Sequence, residues 1–93
     1  MKGTLYVSSH CPESQEVLSQ CRERGLDFRI IDITEDLSSL KEFMNLRENE
    51  DFFKKAKEEN RVGIPVFVFG DNEFFYDAEE KVDWEILYQY MKK

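Results

Sequence analysis

The stretch TLYVSSHCPES, residues 4–14, joins a β-branched and aromatic run to a cysteine that stands directly before a proline. The first half predicts a strand over residues 4–8, because such side chains favour an extended backbone. Pro12 predicts the start of a helix, since the N–H that proline lacks would have no partner in the first helical turn. The stretch therefore predicts a strand that passes into a helix at Cys11.

Downstream of this stretch, the sequence predicts a second strand and two more helical segments. The first helix is expected to end near Arg24, because Gly25 supplies a C-terminal stop. The apolar run LDFRIIDI, residues 26–33, predicts a second strand that is buried. Asp36 opens a helix whose apolar residues recur at helical spacing, and residues 48–60 predict a further helix or turn.

The C-terminal third predicts a hairpin followed by a helix. IPVFVFG (residues 64–70) and EFFY (residues 73–76) predict two strands joined by a short turn. The last helix is expected to begin at Asp77, with Glu80 three residues later in a capping-box pattern. The β-α-β start implies a parallel pair, and the hairpin adds antiparallel strands. The predicted fold class is therefore α/β, a four-stranded mixed β-sheet flanked by three to four helices.

The length and charge of the chain limit its possible partners. Its 93 residues fit one domain spanning residues 1–93. A net charge of −7 argues against nucleic acid and an anionic membrane surface as partners. The sequence has no apolar run long enough to span a membrane, and its N-terminus is too short and polar for a signal peptide. Its two cysteines do not make a disulfide framework, so we expect a cytoplasmic protein. We also expect the protein to be a monomer.

Cys11 is the first candidate catalytic residue. At a helix N-terminus, unpaired N–H groups and the helix dipole favour the thiolate, which is the reactive form of cysteine. Ser14 can offer its hydroxyl to the sulfur, and His10 would add positive charge if protonated. Glu13 acts in the opposite direction, because a nearby carboxylate favours the protonated thiol. The alternative is an inert cysteine that merely stands at a helix start.

A second motif, VGIPVF, places a proline at the start of a predicted strand. A bond between another residue and proline at such a position can be cis, and cis bonds persist for a structural reason. A cis bond between Ile64 and Pro65 would leave the Ile64 backbone free to pair with an extended peptide. The alternative is a trans proline on an edge strand.

Together these motifs resemble those of the glutaredoxins, within the thioredoxin superfamily. The resemblance covers most of the chain, including residues 4–14, 26–33 and 62–75. Residues 40–69, LKEFMNLRENEDFFKKAKEENRVGIPVFVF, are similar to a bacterial group usually called glutaredoxin-related proteins. The resemblance implies a thioredoxin-like (glutaredoxin) fold.

The resemblance also implies roles for individual residues. Cys11 would be the nucleophile, and Ile64 and Pro65 would be the pair whose backbone aligns the substrate. The implied catalytic residues are Cys11 and Ser14, and the implied substrate-binding residues are Pro12, Ile64, Pro65 and Asp77. No residue is expected to bind a metal.

Several positions depart from the glutaredoxin pattern. Ser14 replaces the resolving cysteine, and Ser8 stands where glutaredoxins often have a lysine that contacts glutathione. Phe75 and Tyr76 fall where two glycines would hold the γ-glutamyl end of glutathione. Only Asp77 could take over an acidic role there, after a one-residue shift, and its alternative role is that of a helix N-cap. We therefore expect no required cofactor, and weak or no binding of glutathione.

The leading functional hypothesis is a single-cysteine thiol–disulfide oxidoreductase that acts on mixed disulfides of small molecules or protein cysteines. Cys21 lies about 15 Å further along the predicted helix, beyond disulfide reach, and is expected to be a buried apolar filler. A second hypothesis is a non-catalytic adaptor that binds partners in the groove beside Ile64 and Pro65. A third is an iron–sulfur cluster carrier, although such glutaredoxins typically have glycine where Pro12 stands.

Overall fold

The computed structural model of the chain describes residues 1–79 and 81–92. Its centre is a four-stranded sheet in the order β2-β1-β3-β4. The strands are β1 (Gly3–Val7), β2 (Arg29–Asp32), β3 (Val66–Phe69) and β4 (Phe74–Asp77). Strand β1 pairs parallel with β2 and antiparallel with β3, and β3 pairs antiparallel with β4. The predicted mixed sheet and the predicted hairpin are confirmed.

Helices cover both faces of this sheet. The described helices are α1 (Pro12–Glu23), α2 (Leu37–Asn49), α3 (Lys54–Glu58) and α4 (Trp84–Lys92), and a 3₁₀ turn spans Asp51–Phe53. None of the helices in the described part of the chain has both the length and the apolar character needed to cross a membrane. The result is a mixed α/β fold, as the sequence predicts.

The alternation of side chains along β1 divides the core into two clusters. Successive residues of a strand point to opposite faces of the sheet. Leu5 therefore packs in one cluster with residues of α1 and α4, including Val17 and Leu87. Tyr6 packs in the other cluster, where Phe43 of α2 is buried. These clusters hold the first strand and its following turn in a fixed position.

The ends of α1 and α2 match the sequence signals. Cys11 is the N-cap of α1, and Pro12 occupies its first turn. Gly25 follows the helix with a φ of +66°, a left-handed conformation that glycine adopts without steric cost. At the start of α2, the Asp36 side chain accepts a hydrogen bond from Ser39 N at 2.7 Å. Both predicted helix starts are confirmed.

Strand β2 differs from its prediction. It is shorter than the apolar run of residues 26–33, and it lies at the edge of the sheet. Ile30 is 52% exposed, whereas Phe28 and Ile33, which flank the strand, are buried. The prediction of a buried strand was wrong because an edge strand has a neighbour on one side only, and the side chain of Ile30 is left largely uncovered.

The last helix also begins later than predicted. Asp77 does not start it but ends β4, where it pairs with Val66 of β3. Helix α4 begins at Trp84, and the Asp83 carboxylate accepts a hydrogen bond from Glu85 N at 3.1 Å. The prediction was wrong because the β3–β4 ladder extends through Asp77, so a later aspartate provides the side-chain acceptor at the helix start. Glu80, the second residue of the predicted capping box, lies outside the described residues.

Candidate functional site

The turn between β1 and α1 is closed by two buried serines. Ser8 N donates to Ser14 Oγ at 3.1 Å, and Cys11 N donates to Ser8 O at 3.1 Å. His10 N donates to Ser8 Oγ, also at 3.1 Å. These bonds satisfy backbone groups that burial would otherwise leave unpaired. They hold the turn in the conformation that presents Cys11 at the start of α1.

The hydroxyl of Ser14 contacts the backbone of the turn. The sequence predicted that this hydroxyl would form a hydrogen bond with the sulfur of Cys11. Instead, Ser14 is fully buried and accepts its hydrogen bond from the backbone of Ser8. The signal that could have indicated this contact is a serine in the first turn of a predicted helix, since serine side chains often bind nearby backbone groups.

The thiol of Cys11 donates to a carboxylate. Its Sγ lies 3.3 Å from Glu13 Oε2. Hydrogen bonding to the Glu13 backbone N–H, and then to the Cys11 thiol, lowers the pKa of Glu13. Glu13 is therefore ionised at neutral pH. The structure brings Glu13 into contact with the sulfur, and its expected effect on thiolate formation stays a prediction.

Cys21 is unsuited to exchange chemistry. Both cysteines are free thiols, and Cys21 is only 3% exposed. Burial raises the pKa of the Cys21 thiol to about 11. A thiol that is both inaccessible and protonated at neutral pH is neither a nucleophile nor a resolving group. The prediction that Cys21 is a buried apolar filler is confirmed.

Cys11 opens into a cleft of about 490 Å³. Its walls come from the β1–α1 turn, from Ile33 and Thr34 after β2, from the segment that precedes β3, and from Glu79 after β4. Ile64 lines the same cleft, and the Ile64–Pro65 bond is cis. The two sequence motifs therefore meet at one site, which is hereafter called the Cys11 cleft.

A polar network ties the Cys11 turn to the end of β2. Ser8 Oγ and Thr34 Oγ1 are hydrogen-bonded at 3.0 Å. The Asp32 carboxylate accepts from Thr34 Oγ1 at 2.6 Å and from Ser9 N at 3.2 Å. These hydrogen bonds, that from the Thr34 hydroxyl first, lower the pKa of Asp32. Sequence reasoning missed this network, because the parallel pairing of β1 and β2 is what brings its members together.

An ion pair lies on the opposite wall of the cleft. Arg61 Nη1 pairs with Glu79 Oε2 at 2.5 Å, and Arg61 Nε pairs with Glu59 Oε1 at 2.7 Å. Arg47 of α2 holds the backbone beneath, donating to Arg61 O at 2.7 Å and to Val62 O at 2.9 Å. Sequence reasoning missed these residues too. Opposite charges separated by many positions give no local pattern that predicts a pair.

The remaining predicted site residues lie outside the lining of the cleft. Pro12 is exposed on the first turn of α1, and Pro65 is buried beneath the cleft. Asp77 is exposed at the end of β4, where its Oδ1 accepts from Glu79 N at 2.9 Å. Of the acidic residues after β4, it is Glu79 that lines the Cys11 cleft.

The charged side chains of the cleft already have partners. Arg61 pairs with two carboxylates, and a third carboxylate, Glu13, contacts the sulfur of Cys11. The expected weak binding of glutathione stays a prediction. Within residues 1–79 and 81–92, no group of three or more His, Cys, Asp or Glu side chains is placed to hold a metal ion.

Comparison with known proteins adds one relative. The chain is 25% identical over 79 residues to an uncharacterized protein of Haemophilus influenzae, and the match covers 85% of this chain and 92% of the relative. No family model matches the chain. No solved structure matches it. The chemistry of the Cys11 cleft therefore carries the functional argument.

Proposed function

We propose that the protein has a thioredoxin-like fold and acts as a glutaredoxin-like, single-cysteine thiol–disulfide oxidoreductase. The observation that carries this proposal is the position of Cys11, at the N-terminus of α1 and on the same cleft as Ile64. The sheet order β2-β1-β3-β4, with helices on both faces, supports the fold assignment. The resemblance of the two motifs to those of glutaredoxins supports the chemistry.

The proposed reaction is thiol–disulfide exchange at Cys11. The thiol first loses its proton to solvent, and the Sγ thiolate attacks one sulfur of a substrate disulfide. A new bond forms between Sγ and that sulfur, the substrate S–S bond breaks, and the leaving thiolate takes up a proton. A small external thiol then attacks the mixed disulfide and restores Cys11. One half of the substrate has then left as a thiol, and the other half leaves as a mixed disulfide with the external thiol. A second molecule of the external thiol reduces this mixed disulfide, so that two external thiols are oxidised to one disulfide for each substrate reduced.

The external thiol is required because the chain supplies no second accessible thiol beside Cys11. Ser14 has a hydroxyl, which cannot replace sulfur in exchange, and it already binds the Ser8 backbone. Cys21 is buried and protonated at neutral pH. The proposal therefore needs a reducing compartment, for which the cytoplasm is the expected one.

Adduct formation tests the nucleophile. The native protein is treated with 2-hydroxyethyl disulfide, which is uncharged, and its mass is measured. Wild type should gain one mercaptoethanol group, Cys11→Ser should gain none, and the matched control Cys21→Ala should gain one. An adduct that persists in native Cys11→Ser, or no adduct on wild type, would overturn the proposal.

A second candidate function is that of a binding adaptor, and the Cys11–Glu13 contact favours it. In this contact the Cys11 thiol is engaged by a side chain of the protein itself. An extended peptide could then pair with the backbone of Ile64 without exchange. Amide shifts on adding a peptide that lacks cysteine would support the adaptor if they were equal in wild type and Cys11→Ser.

A further inference from the structure

The charges around the Cys11 cleft are unbalanced. Glu13 and Glu79 line it, and Glu59 pairs with the lining residue Arg61 from beside it. Among the described residues that line the cleft, Glu13, Glu79 and Arg61 sum to a formal charge of −1, and His10 is the remaining titratable group besides Cys11. The net charge of the whole chain, −7, has the same sign.

Arg61 is already paired. Glu59 and Glu79 bind different nitrogens of its guanidinium, and the Glu79 side chain is only 23% exposed. An anionic group at Arg61 would therefore meet two carboxylates beside it. Arg47, behind the same backbone, pairs with Glu48 at 3.6 Å and donates to carbonyl oxygens. Both arginines are thus paired with carboxylates of the chain itself.

The carboxylate of Glu13 is close enough to the sulfur of Cys11 to interact electrostatically with a substrate there. Glu13 Oε2 lies 3.3 Å from the sulfur that must meet the substrate disulfide. Charges within about 8 Å of each other are incompletely screened at physiological ionic strength. Charged groups beside the sulfurs of the substrate would therefore interact electrostatically with Glu13 and Glu79 as the substrate approaches and reacts.

We propose, on the basis of the exchange chemistry proposed above, that the Cys11 cleft selects disulfides with positive charge beside their sulfurs and disfavours anionic ones. The substrate class is a disulfide of an aminothiol, or of a cysteine flanked by lysine or arginine in a peptide. In the exchange, Cys11 Sγ bonds to one sulfur of this disulfide, the S–S bond breaks, and the released aminothiol or peptide thiolate takes up a proton. Glu13 and Glu79 determine this specificity by their charge.

Three small disulfides measure the selection directly. The probes are cystamine (cationic), 2-hydroxyethyl disulfide (neutral) and 3,3′-dithiodipropionate (anionic). Each rate of adduct formation is divided by the rate of N-acetylcysteine amide, a neutral free thiol, with the same disulfide. We expect the normalised rate for cystamine to exceed that for the dicarboxylate about tenfold at low salt, and about twofold at 0.5 M NaCl.

Charge variants locate the source of the selection. Glu79→Gln removes one carboxylate and loosens the hold on Arg61, so the cation-to-anion ratio should fall about threefold. Arg61→Gln should raise the ratio. The matched control is Glu23→Gln at the last residue of α1, about 18 Å from Cys11 along the helix, which should leave the ratio unchanged.

Two peptide disulfides identify the source of the substrate. They share one sequence except that lysines flank the cysteine in one and glutamates in the other. A faster reaction of the lysine peptide supports a protein substrate, whereas discrimination confined to cystamine supports a small aminothiol. Equal normalised rates for all the charged probes, or faster anionic ones, would overturn the selection while adduct formation upheld the exchange chemistry. No adduct from any probe would overturn the proposed function itself.

Discussion

At the scale of single residues, Cys11 is positioned by two local features. It is the N-cap of α1, and its Sγ donates to Glu13 Oε2 at 3.3 Å. Both could be predicted from the sequence because they join residues that are close together in the chain. The hydrogen bond of Ser14 to Ser8 could not, since it depends on how tightly the turn closes.

Replacing Glu13 with glutamine should make Cys11 more reactive. The substitution removes the carboxylate that accepts the hydrogen bond from Sγ at 3.3 Å, so alkylation by iodoacetamide at pH 7 should accelerate about two- to fivefold. Glu16→Gln, one turn further along α1, removes the same charge away from the sulfur and should change the rate little. An unchanged or slower rate in Glu13→Gln would contradict the assigned role.

Replacing Ser14 with alanine should destabilise the whole domain. The buried N–H of Ser8 would lose its acceptor, and such a loss typically costs about 1–3 kcal/mol in the free energy of unfolding. Urea unfolding measures this change. Ser19→Ala on the same helix, outside the turn, is the control and should cost less than about 0.5 kcal/mol. Equal costs for the two variants would refute the structural role of Ser14.

At the scale of elements, local signals placed α1 and α2 correctly but not β2 and α4. Helix caps and proline act within a few residues, so a single sequence contains them. The edge position of β2 depends on which strand pairs beside it, and the late start of α4 depends on how far β4 extends along β3. Both are decided by pairing between distant segments.

The start of α4 gives a test at this scale. Asp83 Oδ1 accepts from Glu85 N at 3.1 Å, so Asp83→Ala should lower the free energy of unfolding by about 1 kcal/mol. Thermal unfolding followed by circular dichroism measures the change. Asp27→Ala, an exposed aspartate before β2, is the matched control and should have little effect. A larger loss in the control than in Asp83→Ala would contradict the observed helix start.

At the scale of the whole molecule, the sheet brings together motifs that are far apart in the chain. The paired motifs at Cys11 and at Ile64–Pro65 predicted the site, and the structure places Cys11 and Ile64 on one cleft. The Arg61–Glu79 pair on its wall was not predicted, because its two residues meet only once β3 and β4 have paired. The charge of the cleft is therefore a property of the folded molecule.

The stability of the molecule should fall in acid. Hydrogen bonds from Arg29 first, and then from the Tyr6 hydroxyl, lower the pKa of Glu42, which links α2 to the sheet. A pKa that is lower in the folded than in the unfolded state adds stability above the unfolded pKa, and this stability is lost as the pH falls through the folded pKa. The melting temperature should decline below about pH 5, less steeply in Glu42→Gln than in wild type or the control Glu58→Gln. Equal slopes in all three would contradict the assignment.

Steady-state turnover tests the central claim, that Cys11 performs exchange alone. The assay follows reduction of 2-hydroxyethyl disulfide by a small thiol, with wild type, Cys11→Ser and Cys21→Ala compared at equal concentrations. The account predicts turnover above the uncatalysed rate that rises with thiol concentration, survives in Cys21→Ala and disappears in Cys11→Ser. Turnover that persists in Cys11→Ser, or a wild-type rate no higher than that of the buffer, would contradict it.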